Sequence, residues 1–254
     1  MSRIDRAVGL LRSLAIYHAI PLRQRRLKNL YTQFVRAGDL VFDIGAHAGN
    51  HVRAFSALGC RVVALEPQPD FAWLLRILFG QRSNVRIIQA GASRAAGRGT
   101  LSISERFPTV TSLADGWRDR RSGEPDFADV RWNRSAEIEI TTLDALIDAH
   151  GLPAFIKIDV EGSEPDVLAG LSRPVPALAF EFLPGALEQA DACIARLGSL
   201  DRYVFNWSRG ETHVLAARSW LSARDIVAAL RTPEARQRSG DVYARVAGPS
   251  DRSI

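Results

Sequence analysis

Three short stretches of this 254-residue chain carry side chains that could do chemistry together. Asp43-Ile44-Gly45-Ala46-His47-Ala48-Gly49 closes an apolar run, and its glycines permit a sharp turn that brings backbone close to a ligand. Glu66 closes a second apolar run, where a carboxylate can accept hydrogen bonds from both hydroxyls of a ribose. A solvated loop acid is the competing reading of Glu66. Ile156-Lys157-Ile158-Asp159-Val160-Glu161-Gly162 gathers two acids and a lysine, a set able to orient or deprotonate a hydroxyl. Lys157 either takes a direct part or pairs with an acid inside a covered strand. Glu181, near the end of a further apolar run, is an additional carboxylate.

The turn also bears on which nucleoside would be bound. A dinucleotide site needs G-x-G-x-x-G, with pyrophosphate received at a helix N-terminus. Here position 47 is His, so the second glycine is missing, and Asp43 adds a negative charge beside the turn. A carboxylate suits an ammonium and a sulfonium better than phosphates, which favours S-adenosylmethionine over NAD. No metal is expected. Hard-cation sites need several converging oxygens, and Asp159, Glu161 and Glu181 come from two strands at most. No His/Cys cluster exists for zinc.

Positioning these residues requires strands alternating with helices. Leu40 to Ile44, Arg61 to Leu65, Val85 to Ile88, Phe155 to Asp159 and Leu178 to Phe182 read as strands covered on both faces. Helices are expected at Asn50 to Leu58, Asp70 to Phe79, Leu143 to Ala149, a short one opened by Ser163, and Ala186 to Leu197. Gly59 falls where a C-terminal cap would stand, and Thr141 with Asp144 has capping-box spacing. Thr100 to Ser104 and Glu137 to Thr142 add possible strands around an irregular stretch with Trp117 and Trp132. Tyr203 to Trp207 and His213 to Ala217 are close enough to form a hairpin, which would make the last strand antiparallel. The pattern is a doubly wound α/β sheet. It divides into an N-terminal helical segment (1–36), a main domain (37–222), and a C-terminal helix and tail (223–254).

Composition narrows the class. The chain is 46% hydrophobic and 24% charged, long enough to bury a core without covalent staples. Cys60 and Cys193 suggest no disulfide framework, so a cytoplasmic location is expected. The apolar stretch from Ala7 to Ile20 is broken by Arg12 and His18 and too short to span a bilayer. Val8, Leu11, Ala15 and Ile16 at helical spacing suit docking onto the parent domain, with membrane-surface contact as the minority reading. The net charge of +5 invites a nucleic-acid reading, but Arg23, Arg25, Arg26 and Lys28 form the one dense basic cluster. No stacking aromatics accompany it, and it reads as a solvated helix face.

Four segments together resemble the FkbM family of methyltransferases. They are Phe42 to Asn50, Glu66-Pro67-Gln68-Pro69, Thr142-Leu143-Asp144-Ala145-Leu146-Ile147, and Lys157-Ile158-Asp159-Val160-Glu161-Gly162-Ser163-Glu164. The resemblance runs from Asp39 to Phe182 and weakens in both tails. It implies a Rossmann-like class I methyltransferase fold, with a mostly parallel seven-stranded sheet, an antiparallel last strand and helices on both faces. It also implies S-adenosylmethionine as donor and hydroxyl oxygens of sugars, polyketides and related small molecules as acceptors. Carried over, Asp43, Gly45 and Gly49 line the methionine end, beside Ala46, His47 and Asn50. Glu66, followed by Pro67, holds the ribose, and Gly91 and Ala92 border the adenine. Thr109, Val110 and Ser112 match a segment that lies near the acceptor, while Asp159, by its place at the end of its strand, is expected beside the Asp43 turn and so also against the cofactor. His47 stands where asparagine is commoner, so its side chain receives no role.

Methyl transfer needs an acceptor oxygen held near attack distance and relieved of its proton. Asp159 is the expected proton acceptor, with Glu161 and Glu181 as supporting or alternative carboxylates. The expected partner is a small-molecule or glycan hydroxyl compound rather than a nucleic acid. An RNA or protein methyltransferase, an NAD-linked oxidoreductase and a non-catalytic binding module remain the competing classes.

Overall fold

The computed structural model describes residues 21–103 and 134–251. Expectations for residues 1–20, and for Thr109, Val110, Ser112, Trp117 and Trp132, lie outside the described residues. Helix α1 (Pro21–Tyr31) opens at the proline that cannot continue a helix interior. Strand β1 (Leu40–Ile44) leads into α2 (Asn50–Ala57), and β2 (Arg61–Leu65) into α3 (Pro69–Phe79). Then come β3 (Val85–Ile88), β4 (Gly91–Ala92), β5 (Gly97–Ile103) and β6 (Arg134–Thr141). Helix α4 (Leu143–His150), β7 (Phe155–Ile158), α5 (Glu164–Ala169), β8 (Ala177–Phe182) and α6 (Leu187–Leu200) follow. Strand β9 (Tyr203–Arg209), α7 (Ala223–Leu230) and β10 (Gly240–Val246) complete the order.

Seven strands form one sheet in the order β3-β2-β1-β7-β8-β10-β9, and β4, β6 and β5 form a second, small sheet. In the large sheet β10 alone runs antiparallel to its neighbours. The mostly parallel seven-stranded sheet with an antiparallel last strand is thus observed. All five β1 residues are buried, as strands covered on both faces require. One large apolar cluster includes Phe42, Ile156 and Phe180; a second includes Val41, Phe55 and Phe155 with Tyr31 of α1. Burying each such side chain contributes roughly 1.5–3 kcal/mol.

The antiparallel strand is not the one expected from the hairpin rule. His213 to Ala217 returns beside β9 without forming a ladder, through Ala216 N–H on the Trp207 carbonyl and a bridge between Phe205 and Leu221. Strand β10, from the stretch read as tail, fills the gap between β8 and β9. Its Val242, Tyr243 and Ala244 are buried, whereas Val214 is exposed, so burial decides the pairing over proximity in sequence. Two caps also differ. Thr142, not Thr141, caps α4 by accepting the Ala145 N–H at 3.1 Å. Ser163 stands at the N-cap of α5 without a side-chain cap bond.

No helix among the described residues is long and apolar enough to cross a membrane.

Candidate active site

A cleft opens beyond the carboxyl ends of β1, β2 and β7, at the edge where the chain order of the sheet reverses. It encloses about 920 Å³ when counted out to its open mouth. Of the expected residues, Gly45, His47, Asn50, Glu66, Pro67, Gly91, Ala92, Asp159 and Glu161 line it. Asp43, Ala46, Gly49, Lys157 and Glu181 do not; they lie behind or beside its wall.

The turn after β1 is shaped by close packing. Gly45 has φ +83°, and a Cβ there would stand 1.8 Å from the Asp159 carbonyl oxygen. Gly49, also at φ +83°, caps α2 so near Phe79 and Leu75 that a Cβ would meet them at 2.5 and 2.7 Å. His47 is held at φ +44°, a conformation that L-residues rarely adopt. Four of the turn's N–H groups are engaged within the protein. Gly45 and Ala46 donate to the Leu65 carbonyl, Gly49 to that of Ala46, and His47 to Glu66 Oε2 at 2.7 Å. These bonds fasten the end of β1 to the end of β2.

Glu66 is buried in the cleft wall. Its second oxygen accepts the Gln68 N–H at 2.8 Å, so both oxygens are oriented by backbone. Burial pushes its carboxyl up to about 7, although the Gln68 and His47 amides pull the other way. Asp43 is fully buried, and its oxygens have no hydrogen-bond partner among the described residues. Burial raises it to about 7, against the pull of Lys157 and with added repulsion from Asp159 and Glu66; the Val52 N–H nearby lowers it without reaching bonding geometry.

Lys157 is the centre of a buried charge chain. Its ammonium donates to Asp241 Oδ1 at 2.7 Å and lies 3.2 Å from Asp159 Oδ2. Burial alone would lower it, but Asp159 and Asp241 keep it well above its ordinary value. Tyr243 donates to the other Asp241 oxygen at 3.2 Å. Asp159 is itself only partly covered, and burial raises its carboxyl against the pull of Lys157. Oxygens of Asp159, Glu161 and Glu181 all lie within 4.8 Å of one another. Their convergence, which the count of strands argued against, is a spacing at which acids share protons or hold a cation. Burial, then Asp159 and Glu161, push Glu181 far above the carboxylate range.

Several contributors escaped the sequence. Glu164 accepts N–H bonds from Val160 at 3.0 Å and Gly162 at 3.3 Å, which fixes the loop carrying Asp159 and Glu161. Glu161 at φ +54° and Gly162 at φ +94° give that loop its shape. The x-E of the K-I-D-V-E-G-x-E stretch was the available signal. His51 lines the cleft, within 2.5 Å of the Tyr31 hydroxyl through Nδ1. Burial holds His51 well below its usual range and His47 at about 3, so both are neutral. Glu211, far along the chain, also lines the cleft; burial would raise it, but His213 and Arg23 hold it at about 2. Arg23, read as part of a solvated face, is thereby tied to the site.

The family model described as the methyltransferase FkbM domain matches residues 43–213. No protein of curated function matches the chain. Among solved structures, an O-methyltransferase from Bacillus cereus in complex with S-adenosylhomocysteine is 15% identical, with TM-score 0.47, covering 96% of this chain and 89% of that one. A precorrin-6y C5,15-methyltransferase from Geobacter metallireducens is 11% identical, with TM-score 0.45, covering 89% of this chain and 86% of that one.

Proposed function

This chain belongs to the FkbM methyltransferase family, and on that premise we propose that it transfers a methyl group from S-adenosylmethionine to a hydroxyl oxygen of a small molecule or glycan. The observation that carries the donor is the charge of the cleft. Glu66, Asp159, Glu161 and Glu211 line it, its two histidines are neutral, and no Lys or Arg is among its described lining residues. Such a wall attracts an ammonium and a sulfonium and repels a pyrophosphate. The amides of Gly45, Ala46, His47 and Gly49, already spent on Leu65, Ala46 and Glu66, argue against a dinucleotide in the same way.

S-adenosylmethionine supplies a methyl carbon already activated by its sulfonium. The chain's own residues have the rest to do. Glu66 would accept the ribose hydroxyls, its two oxygens held in place by backbone. Gly91, Ala92, Leu65 and Leu101 are apolar residues of the cleft lining, and the adenine would lie against them. Asp159 would take the proton of the acceptor hydroxyl as the oxygen attacks. Lys157 holds Asp159 in place from beneath, and Glu161 and Glu181 keep the surroundings acidic.

Glu66 gives the test. Glu66→Ala is expected to weaken S-adenosylhomocysteine binding by about 1.5–3 kcal/mol, on the order of tenfold to over a hundredfold in Kd. Binding favours the ionised carboxylate, so affinity should rise with pH. With a carboxyl near 7, Kd should tighten about tenfold from pH 6 to pH 8. Glu66→Gln should flatten that slope. Calorimetric titration across this range checks both, and an unchanged Kd in Glu66→Ala would remove Glu66 from the site.

A further inference from the structure

A second hollow adjoins the cleft at Glu211, which borders both cavities. Arg26, Arg209 and Arg238 line it, together with Thr212 and Gln237. The three arginines come from α1, the end of β9 and the residues just before β10, so the fold, not one basic run, assembles them. Guanidinium groups keep their charge at any physiological pH.

Little in the hollow neutralises them. Arg209 donates to Gln237 Oε1 at 3.2 Å and stands 4.0 Å from the exposed Glu234. Arg26 and Arg238 have no carboxylate in ion-pair range among the described residues. The one acid in the wall, Glu211, is engaged by Arg23 and lies 3.2 Å from His213. The hollow therefore holds an excess of positive charge beside a cleft whose own wall is acidic.

We propose that Arg26, Arg209 and Arg238 form an oxyanion subsite that takes a phosphate group of the methyl acceptor. The acceptor is then a phosphorylated hydroxyl compound, with its hydroxyl at Asp159 and its phosphate across the Glu211 wall. This deepens the methyltransferase reading and rests on it. Guanidinium forks match phosphate oxygens in pairs, which a lone ammonium cannot do. The acids that line the cleft set one limit: a small molecule can place a single phosphate beyond them, whereas a nucleic-acid backbone would run its charges past Glu211 and Glu161.

The test is titration of the whole chain with inorganic phosphate, pyrophosphate and a short single-stranded RNA at fixed ionic strength, each with S-adenosylhomocysteine titrated in parallel. The expected result is saturable pyrophosphate binding, weakened about tenfold or more in Arg26→Gln/Arg238→Gln, with S-adenosylhomocysteine affinity unchanged. Should the double variant also lose S-adenosylhomocysteine, the two single variants are compared in its place. No phosphate or pyrophosphate binding, or equal binding by the variants, overturns the subsite. RNA binding stronger than pyrophosphate, with a steep salt dependence, overturns the small-molecule acceptor. Pyrophosphate binding without S-adenosylhomocysteine binding would keep the subsite and overturn the donor instead.

Discussion

Asp159→Asn is expected to lower methyl transfer by about 10²–10⁴-fold while S-adenosylhomocysteine affinity stays within a few fold. The carboxylate lies in the cleft wall at the end of β7, with Lys157 at 3.2 Å and Glu161 and Glu181 converging beside it. Asparagine preserves the shape and the contact to Lys157 but cannot take a proton. The loss should therefore fall on kcat rather than on cofactor binding. The assay is methyl uptake measured with excess EDTA present throughout. Wild-type turnover under chelation with loss in Asp159→Asn supports proton acceptance. Turnover by the variant at the wild-type rate would sink the assignment, and wild-type activity restored only by a divalent cation would give the three acids to a metal.

The second large effect is on stability. Lys157→Met should destabilise the fold by about 3–5 kcal/mol, because it leaves Asp241 and Asp159 without their shared cation. Asp241 is nearly fully buried on β10, so it cannot recover the loss from solvent. The deficit has a definite pH dependence. Burial already raises the Asp159 carboxyl against the pull of Lys157, and without that pull its folded-state pKa stands further above its unfolded value, so the penalty is smallest at low pH and grows as pH rises. Thermal unfolding should show a Tm gap between variant and wild type that narrows toward pH 5. Adding Asp241→Asn should restore part of the loss. A pH-independent gap, or no rescue, would mean that Lys157 contributes packing and not charge.

The central residue of that chain shows what local reading can and cannot reach. Lys157 has two readings in the sequence, and the structure makes it the ion pair, because its partner sits on a strand 84 positions away. Asp241 was invisible for the same reason. Gly240 to Val246 reads as tail, since its neighbours in sequence are Arg, Ser and Gly, and its pairing with β8 and β9 is entirely non-local. The strands and turns were legible wherever a covered, Val/Ile-rich run met a glycine. Asp43, Glu66 and Asp159 stand at or beside the ends of such runs, and their positions follow from the alternation alone.

The residues that close the site were not legible, because they arrive from both ends of the chain. Tyr31 and Arg23 on α1 reach His51 and Glu211, and no periodicity encodes that contact. Glu164 is a different case. Its role depends on the positive φ of Glu161 and Gly162, which opens two amides toward one carboxylate oxygen. A motif marks such a residue, but only geometry says what it holds.

The most direct measurement of the central claim is calorimetric titration of the full chain with S-adenosylhomocysteine, with NAD as the control. The acidic cleft and the spent turn amides predict saturable binding of the first at one site per chain and no heat from the second. NAD binding, or binding of neither, would contradict the donor assignment and with it the roles given to Glu66 and Asp159.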